Sequence, residues 1–435
     1  MSAILATRVL RESTPRLKFL VSIACWRGMT KPILKSVLKT LLPPRGRSPR
    51  TVLDMVHTTA ALEDMFGEDL HLARVRSLAN GVTGVLNASR VSIAAVGRAI
   101  AKVRQIEQKS GIKQLDRLLS NEGVSLDELL PLWIRQVVGT TSSIVVAMDW
   151  TDFDDDDHTT LCVSLITKHG RATPLAWRTE KKTTLATRRT GFELKMVEDL
   201  HRWLPVDVAV TLLGDRAFGY EELYALLEGL GWDYVLRFRQ NIMVAEPDAK
   251  AVPASALVLP RGRVRKIVGA RVTRKLVVVP AVVLVKRAGM KEAWCLATSF
   301  ATADANEIVK TYSRRFTIEE TFRDTKDLTF GMGLRATHIR GARRRDRMLF
   351  LVALAHTLLT LLGAAGEACG LDRTLKTNTS KKRTLSLFNQ GREWYLSIPN
   401  MREAKLAILI SAYEKILREH AFLGEILKYD APAET

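Results

Sequence analysis

Three acids in this 435-residue chain stand where catalytic groups tend to collect. Asp149 closes the apolar run Ile144-Val-Val-Ala-Met-Asp149, and Asp215 follows Val208-Ala-Val-Thr-Leu-Leu213 and Gly214. Both runs read as buried strands, and ligands gather at strand ends in open α/β sheets. Glu319 lies within Tyr312–Lys326, a stretch that reads as a helix. There Tyr312, Arg315, Glu319, Phe322 and Lys326 fall on one face at steps of three and four. A helix that only packs on a core would carry Leu, Ile or Val on that stripe. Glu320 sits about 100° off the same face, which favours Glu319. Carboxylates from three separate elements can converge on two hard cations such as Mg²⁺ or Mn²⁺, which prefer oxygen ligands. Such a pair of ions, about 3.5–4 Å apart, activates a water or hydroxyl and stabilises the leaving oxygen in phosphodiester displacement. Arg315 and Lys326 would then hold phosphates. Singly, each acid also reads as a turn or helix cap, and the stripe as a solvated face. The run Asp154–Asp157, with Asp152, reads as a solvated turn.

The elements that must position these acids follow from periodicity. Residues 51–138 are helical throughout, with apolar spacing over Thr51–Phe66, Leu72–Leu86, Ser92–Lys109 and Leu126–Val138. Two short helices around Asn87-Ala-Ser are compatible with helix-turn-helix DNA binding. From residue 144 the period becomes that of strands, and three of them, ending at Trp177, form a meander. Helix, strand, helix and strand follow, ending with Tyr234-Val-Leu-Arg-Phe-Arg239. The order βββαβαβ predicts a mixed sheet with helices on its faces. Residues 240–296 interrupt it with short β-rich runs separated by Gly, Pro and basic residues, and Trp294–Thr298 returns the chain to a strand. The next helix is expected to be capped at Thr302 or Asp304. Residues 341–435 are helical and basic.

The charge balance narrows the partners. Lys and Arg number 66 against 46 Asp and Glu, a net charge of +20. That field attracts polyanions, nucleic acid first and an anionic membrane surface second. Residues 1–50 hold eleven Lys or Arg and one acid, Glu12, and read as a basic arm or an upstream extension. The apolar run Met348–Ala365 is interrupted by His356 and two threonines and reads as a buried helix, not a membrane span. Cys25, Cys162, Cys295 and Cys369 make no C-x-x-C pair, which excludes a zinc finger and fits a reducing compartment. His158 and His169 read as loop residues. No G-x-x-x-x-G-K-[ST] phosphate loop is present.

The spacing Tyr312-x2-Arg315-x3-Glu319-x6-Lys326, with Ala147-Met-Asp149-Trp and Gly214-Asp215-Arg-Ala-Phe-Gly219, resembles the signatures of DDE transposases of bacterial insertion sequences, the insertion-sequence-four family. The resemblance covers roughly residues 70–400. It implies a ribonuclease-H-like catalytic domain over 139–340, with a β-rich insertion at 240–296 between the second Asp and the Glu. It implies that the helical domain at 51–138 binds the element's terminal inverted repeats. It also implies a homodimer that synapses two ends, with 341–435 a candidate for dimerisation. Asp149, Asp215 and Glu319 become the catalytic and metal-binding triad for two Mg²⁺ or Mn²⁺ ions. By the same resemblance Trp294 stacks on a flipped base, Tyr312 and Arg315 contact the phosphate beside it, and Lys326 the terminal phosphates. Arg216, Arg237 and Arg239 are candidate DNA contacts. The expected place of action is the bacterial cytoplasm, at the nucleoid. Phe316-Thr317 departs from the pattern, since many members have Trp followed by a basic residue there. A metal nuclease of the same fold without strand transfer, and a non-catalytic DNA-binding descendant, are the alternatives.

Overall fold

The computed structural model describes residues 58–418 apart from Asp64 and residues 328–330. The basic arm and the start of the first expected helix lie outside the described residues. After helical residues within 58–66 come helices α1 (Leu72–Asn87), α2 (Ile93–Arg104), α3 (Gln108–Ser120) and α4 (Leu126–Val138). Where one helix was expected from Ser92 to Lys109, the chain breaks. Gln105 adopts a left-handed conformation (φ 54°, ψ 47°) and α3 starts afresh at Gln108.

The main sheet uses β1 (Ser143–Phe153), β2 (His158–Leu165), β3 (Thr173–Lys181), β4 (Ala209–Gly214), β5 (Asp233–Phe238), β8 (Arg265–Val268), β11 (Ala281–Val285) and β12 (Trp294–Thr298). Their order is β3-β2-β1-β4-β5-β12-β11-β8. The first three strands are antiparallel, β4 and β5 run parallel to β1, and β12, β11 and β8 continue antiparallel. The fold is therefore mixed α/β, with helices α5 (Arg189–Trp203) and α6 (Glu221–Gly229) in the β3–β4 and β4–β5 connections. Only part of the β-rich stretch stands apart. Strands β6 (Met243–Ala245), β7 (Val252–Pro253), β9 (Arg271–Val272) and β10 (Val277–Val278) form a second sheet, while β8 and β11 extend the main one.

Alternation along the strands divides the core. Val145 and Ala147 of β1, Leu213 of β4, Val235 of β5 and Leu296 of β12 share one face with α7 (Ala305–Ser313) and α8 (Thr317–Lys326). Val146, Met148, Leu212 and Leu236 face the other side, with Met196 and Leu200 of α5. The α7–α8 segment is not one straight helix. Asp304 caps α7 by accepting from the amides of Asn306 and Glu307, and a 3-10 turn over Arg314–Phe316 separates α7 from α8. Side-chain bonds to carbonyls tighten it there, Ser313 Oγ to Lys310 at 2.6 Å and Thr317 Oγ1 to Arg314 at 2.8 Å. A 3-10 turn advances 120° per residue instead of 100°, so three residues rotate the expected stripe by roughly 60°. Tyr312 is accordingly fully buried, and Glu319 is half exposed.

Helix α9 (Ala342–Ala368) is the one described helix long and apolar enough to cross a membrane, and 94% of its apolar window is buried inside the protein. It packs against α1, β3, α10 (Leu387–Ser397) and α11 (Glu403–Arg418). The ring of Phe350 meets Phe66, Trp133 and Trp177 at centroid distances of 6.0, 6.4 and 6.1 Å. Glycines permit the α9–α10 approach: a Cβ on Gly363 would lie 1.9 Å from the Leu387 carbonyl oxygen, and one on Gly391 1.7 Å from that of Leu359. The basic start of α9 turns inward. Arg347 donates to the carbonyls of Val124 and Leu119 at 2.8 and 2.9 Å. Arg345 is buried and donates to Asp156 and, at 3.1 Å, to His158. Of the two histidines, His158 opens β2 and so is no loop residue, whereas His169 does lie in the turn beyond it; both are buried. The acidic turn is likewise anchored, with Lys182 on Asp154, Arg345 on Asp156 and Thr183 on Asp157.

Candidate active site

Strand register brings the two aspartates side by side. The parallel pairing of β1 with β4 ends at Met148 opposite Gly214, so Asp149 and Asp215 follow on adjacent strands. By alternation both lie on the face of Val145, Ala147 and Leu213, the face that α8 covers. Asp149 does not terminate its strand, because β1 stays paired with β2 as far as Phe153. It marks the place where β1 leaves β4. Short bonds orient each carboxylate: Asp149 Oδ1 accepts from the Trp150 amide at 2.8 Å, and Asp215 Oδ1 from the Ala217 amide at 2.8 Å.

The first turn of α8 delivers the third acid through an arginine. Arg315 Nη1 donates to Asp149 Oδ2 at 2.9 Å, and its Nη2 to Glu319 Oε1 at 2.5 Å. The guanidinium is nearly buried (6% exposed), Asp149 is 17% exposed and Glu319 50%. Burial pushes the Asp149 carboxyl up to about 6; Arg315 opposes this, while Asp215 and Glu319 add to it by repulsion. Negative charge is therefore concentrated around Asp149. Among the described residues no three His, Cys, Asp or Glu side chains gather as a metal-holding group in this arrangement, in which Arg315 bridges two of the three acids.

The remaining expected residues divide into two sets. Tyr312 is buried, its phenol pushed up to about 12 by burial against the pull of Arg315 and Arg237. It meets the ring of Trp294 edge-on at 4.9 Å. Trp294, the first residue of β12, is partly buried and also stacks on Phe316 at 5.8 Å. Lys326 lies further off and clasps the end of β1, its Nζ donating to the Asp152 carbonyl at 2.6 Å and to Thr151 Oγ1 at 3.1 Å. Burial lowers its pKa, with Arg335 acting the same way. Arg216 and Arg237 both pair with Glu292, and Arg239 is exposed just past β5.

Phe316 was missed as a site residue. It is 39% exposed, lies under the Arg315 guanidinium at 4.8 Å from the ring centroid, and stacks on Trp294. An exposed aromatic next to a charged residue on the acid-bearing stretch was the available signal.

Residues 186–358 match a family model described as a transposase DDE domain, which supports a DDE transposase. The matched span includes Asp215, Trp294 and Glu319 and begins after β1, which carries Asp149. A comparison with curated proteins gives no match.

Proposed function

We propose that this protein is a DNA transposase of the insertion-sequence-four type with a ribonuclease-H-like catalytic domain. It cuts at the ends of its element and joins the freed 3′-hydroxyl to target DNA. The observation that carries this reading is the grouping of Asp149, Asp215 and Glu319 on one face and at one end of the sheet around Arg315. The order β3-β2-β1-β4-β5, with β4 and β5 parallel to β1, is compatible with a ribonuclease-H-like core.

The donor set fits hard divalent cations. It consists of carboxylates only, and burial, with repulsion from Asp215 and Glu319 adding to it, raises the pKa of Asp149, a cost that added positive charge would offset. Asp149, Asp215 and Glu319 would hold two Mg²⁺ or Mn²⁺ ions. Bound there, such ions stabilise charge on the phosphodiester oxygens as Lewis acids. Arg315, now on two carboxylates, is the cation best placed to exchange them for a substrate phosphate. Trp294 and Phe316 offer aromatic surface to an unstacked base. Lys326 receives the terminal phosphate near the end of β1. Water attacks the phosphodiester at the element end, and the freed hydroxyl then attacks either the opposite strand or the target. Between α1, α2 and α3 a cleft of about 630 Å³, lined by Arg76, Arg104 and Arg117, supports binding of the terminal repeats by the N-terminal helices. Synapsis of two ends by a homodimer completes the reading.

Incubating the purified protein with DNA carrying the element ends and Mg²⁺ tests it. Cleavage with joining is expected. Cleavage alone would make the protein a nuclease, and binding unchanged in Asp149→Ala without any cleavage would make it a non-catalytic binder.

A further inference from the structure

Two arginines meet a single carboxylate beside the acid group. Arg216 directly follows Asp215. Arg237 lies on β5 with the parity of Val235, hence on the same face as Asp149 and Asp215. Glu292, two residues before Trp294, receives Arg216 Nη1 at 2.8 Å and Arg237 Nη2 at 2.9 Å, both on Oε2. Arg237 is only 17% exposed, and its Nε is buried without a partner among the described residues. Glu292 and Arg216 are open to solvent at 44% and 48%.

Three features give this cluster a ligand. Two guanidinium groups on one carboxylate leave a net positive charge. A phosphodiester presents the same pair of anionic oxygens as a carboxylate and suits the same forked donors. The Arg216–Glu292 pair is exposed on both sides and holds weakly, so a competing anion can displace the half-exposed Glu292. The nearly buried Arg237, by contrast, stays fixed by β5 and gives the subsite a stable wall.

We propose that Arg216 and Arg237 form a DNA-phosphate subsite and that Glu292 is its internal stand-in, holding both guanidinium groups in place until a backbone phosphate replaces it. The proposal rests on the reading of the chain as a DNA-cutting enzyme. Because Glu292 already neutralises one of the two charges, phosphate binding there releases fewer counterions than two bare arginines would. Stray DNA must compete with the carboxylate, which favours strands that are also held at the acid site.

Binding of a fluorescent element-end duplex, measured by anisotropy over a salt series, tests this. Glu292→Gln should bind about threefold to tenfold tighter at ~0.1 M salt. Its slope of log affinity against log salt should be steeper by roughly one. Arg237→Gln should weaken binding more in the Glu292→Gln background than in the native one. Glu307→Gln removes another exposed carboxylate, which among the described residues pairs with Lys310 in α7, and serves as the charge control. Melting curves would confirm that the exposed substitutions leave the fold intact. Wild-type affinity and slope in Glu292→Gln, or an equal gain in Glu307→Gln, would overturn the subsite while the DNA reading stands. Absence of DNA binding by wild type and variant alike would overturn both.

Discussion

Asp149 and Trp150 are neighbours in sequence and face opposite sides of the same strand, and the carboxylates on the two sides live differently. Behind the sheet, Trp150 Nε1 donates to Glu193 at 2.7 Å, Arg189 Nε donates to the same carboxylate at 3.0 Å, and the Tyr220 hydroxyl donates at 2.8 Å. Glu193 is 3% exposed, and both of its oxygens are used. In front of the sheet, Asp149, Asp215 and Glu319 share an environment in which Arg315 is the guanidinium that bridges two of them. The rear cluster is closed and satisfied. The front group carries surplus negative charge, and its Glu319 is half exposed. A single step of strand alternation thus separates a carboxylate that holds the fold together from carboxylates available for chemistry.

This contrast can be broken at either side. The largest effect should come from Glu319→Gln, which is expected to lower DNA cleavage about a thousandfold or more, ~4 kcal/mol, with circular dichroism unchanged. Glu193→Ala should instead destabilise the protein by about 3 kcal/mol in urea unfolding, because it strands the donors of Trp150, Tyr220 and Arg189. If Glu193→Ala removed cleavage and left stability untouched, the division between the faces would be wrong.

A third test uses pH. The carboxyl of Asp149 is raised from 3.8 to about 6 in the fold, so protonation favours the folded state. Its contribution to stability is greatest below pH ~4 and is lost as pH rises through about 6. In the metal-free protein, Asp149→Asn should therefore raise stability at pH 8 by on the order of 2 kcal/mol, and the gain should vanish near pH 4. A gain independent of pH would remove ionisation of the buried carboxylate as its cause. The smallest effect is expected for Trp294→Ala and Phe316→Ala, each weakening element-end binding by about 1 kcal/mol in a titration at fixed salt.

Much of this was legible in the chain itself. Val146–Asp149, Leu212–Asp215 and Trp294–Thr298 have the alternation and flanking signals that make strands readable, and their register then brings the aspartates together. What was not legible depended on tertiary contacts. Short β runs such as Arg265–Val268 and Ala281–Val285 look alike whether they form a separate sheet or extend the main one, and β8 and β11 do the latter. The 3-10 turn at Arg314–Phe316 leaves no mark in residue spacing, although it rotates Tyr312 away from Glu319. Glu292 gave no signal, because an isolated acid in a basic loop shows nothing of the two arginines that fold brings to it.

Helix α9 carries a consequence for synthesis. Its partner α1 leaves the ribosome roughly 250 residues earlier, a delay of about 10–50 s at usual elongation rates. During that interval Val75, Leu78 and Val82, buried on α1 in the finished core, lack the α9 part of that core. Fragments ending before Ala342 therefore keep that stripe open, while the strands bearing both aspartates are already made. Helix α9 and the helices packed on it thus complete a core that α1 begins.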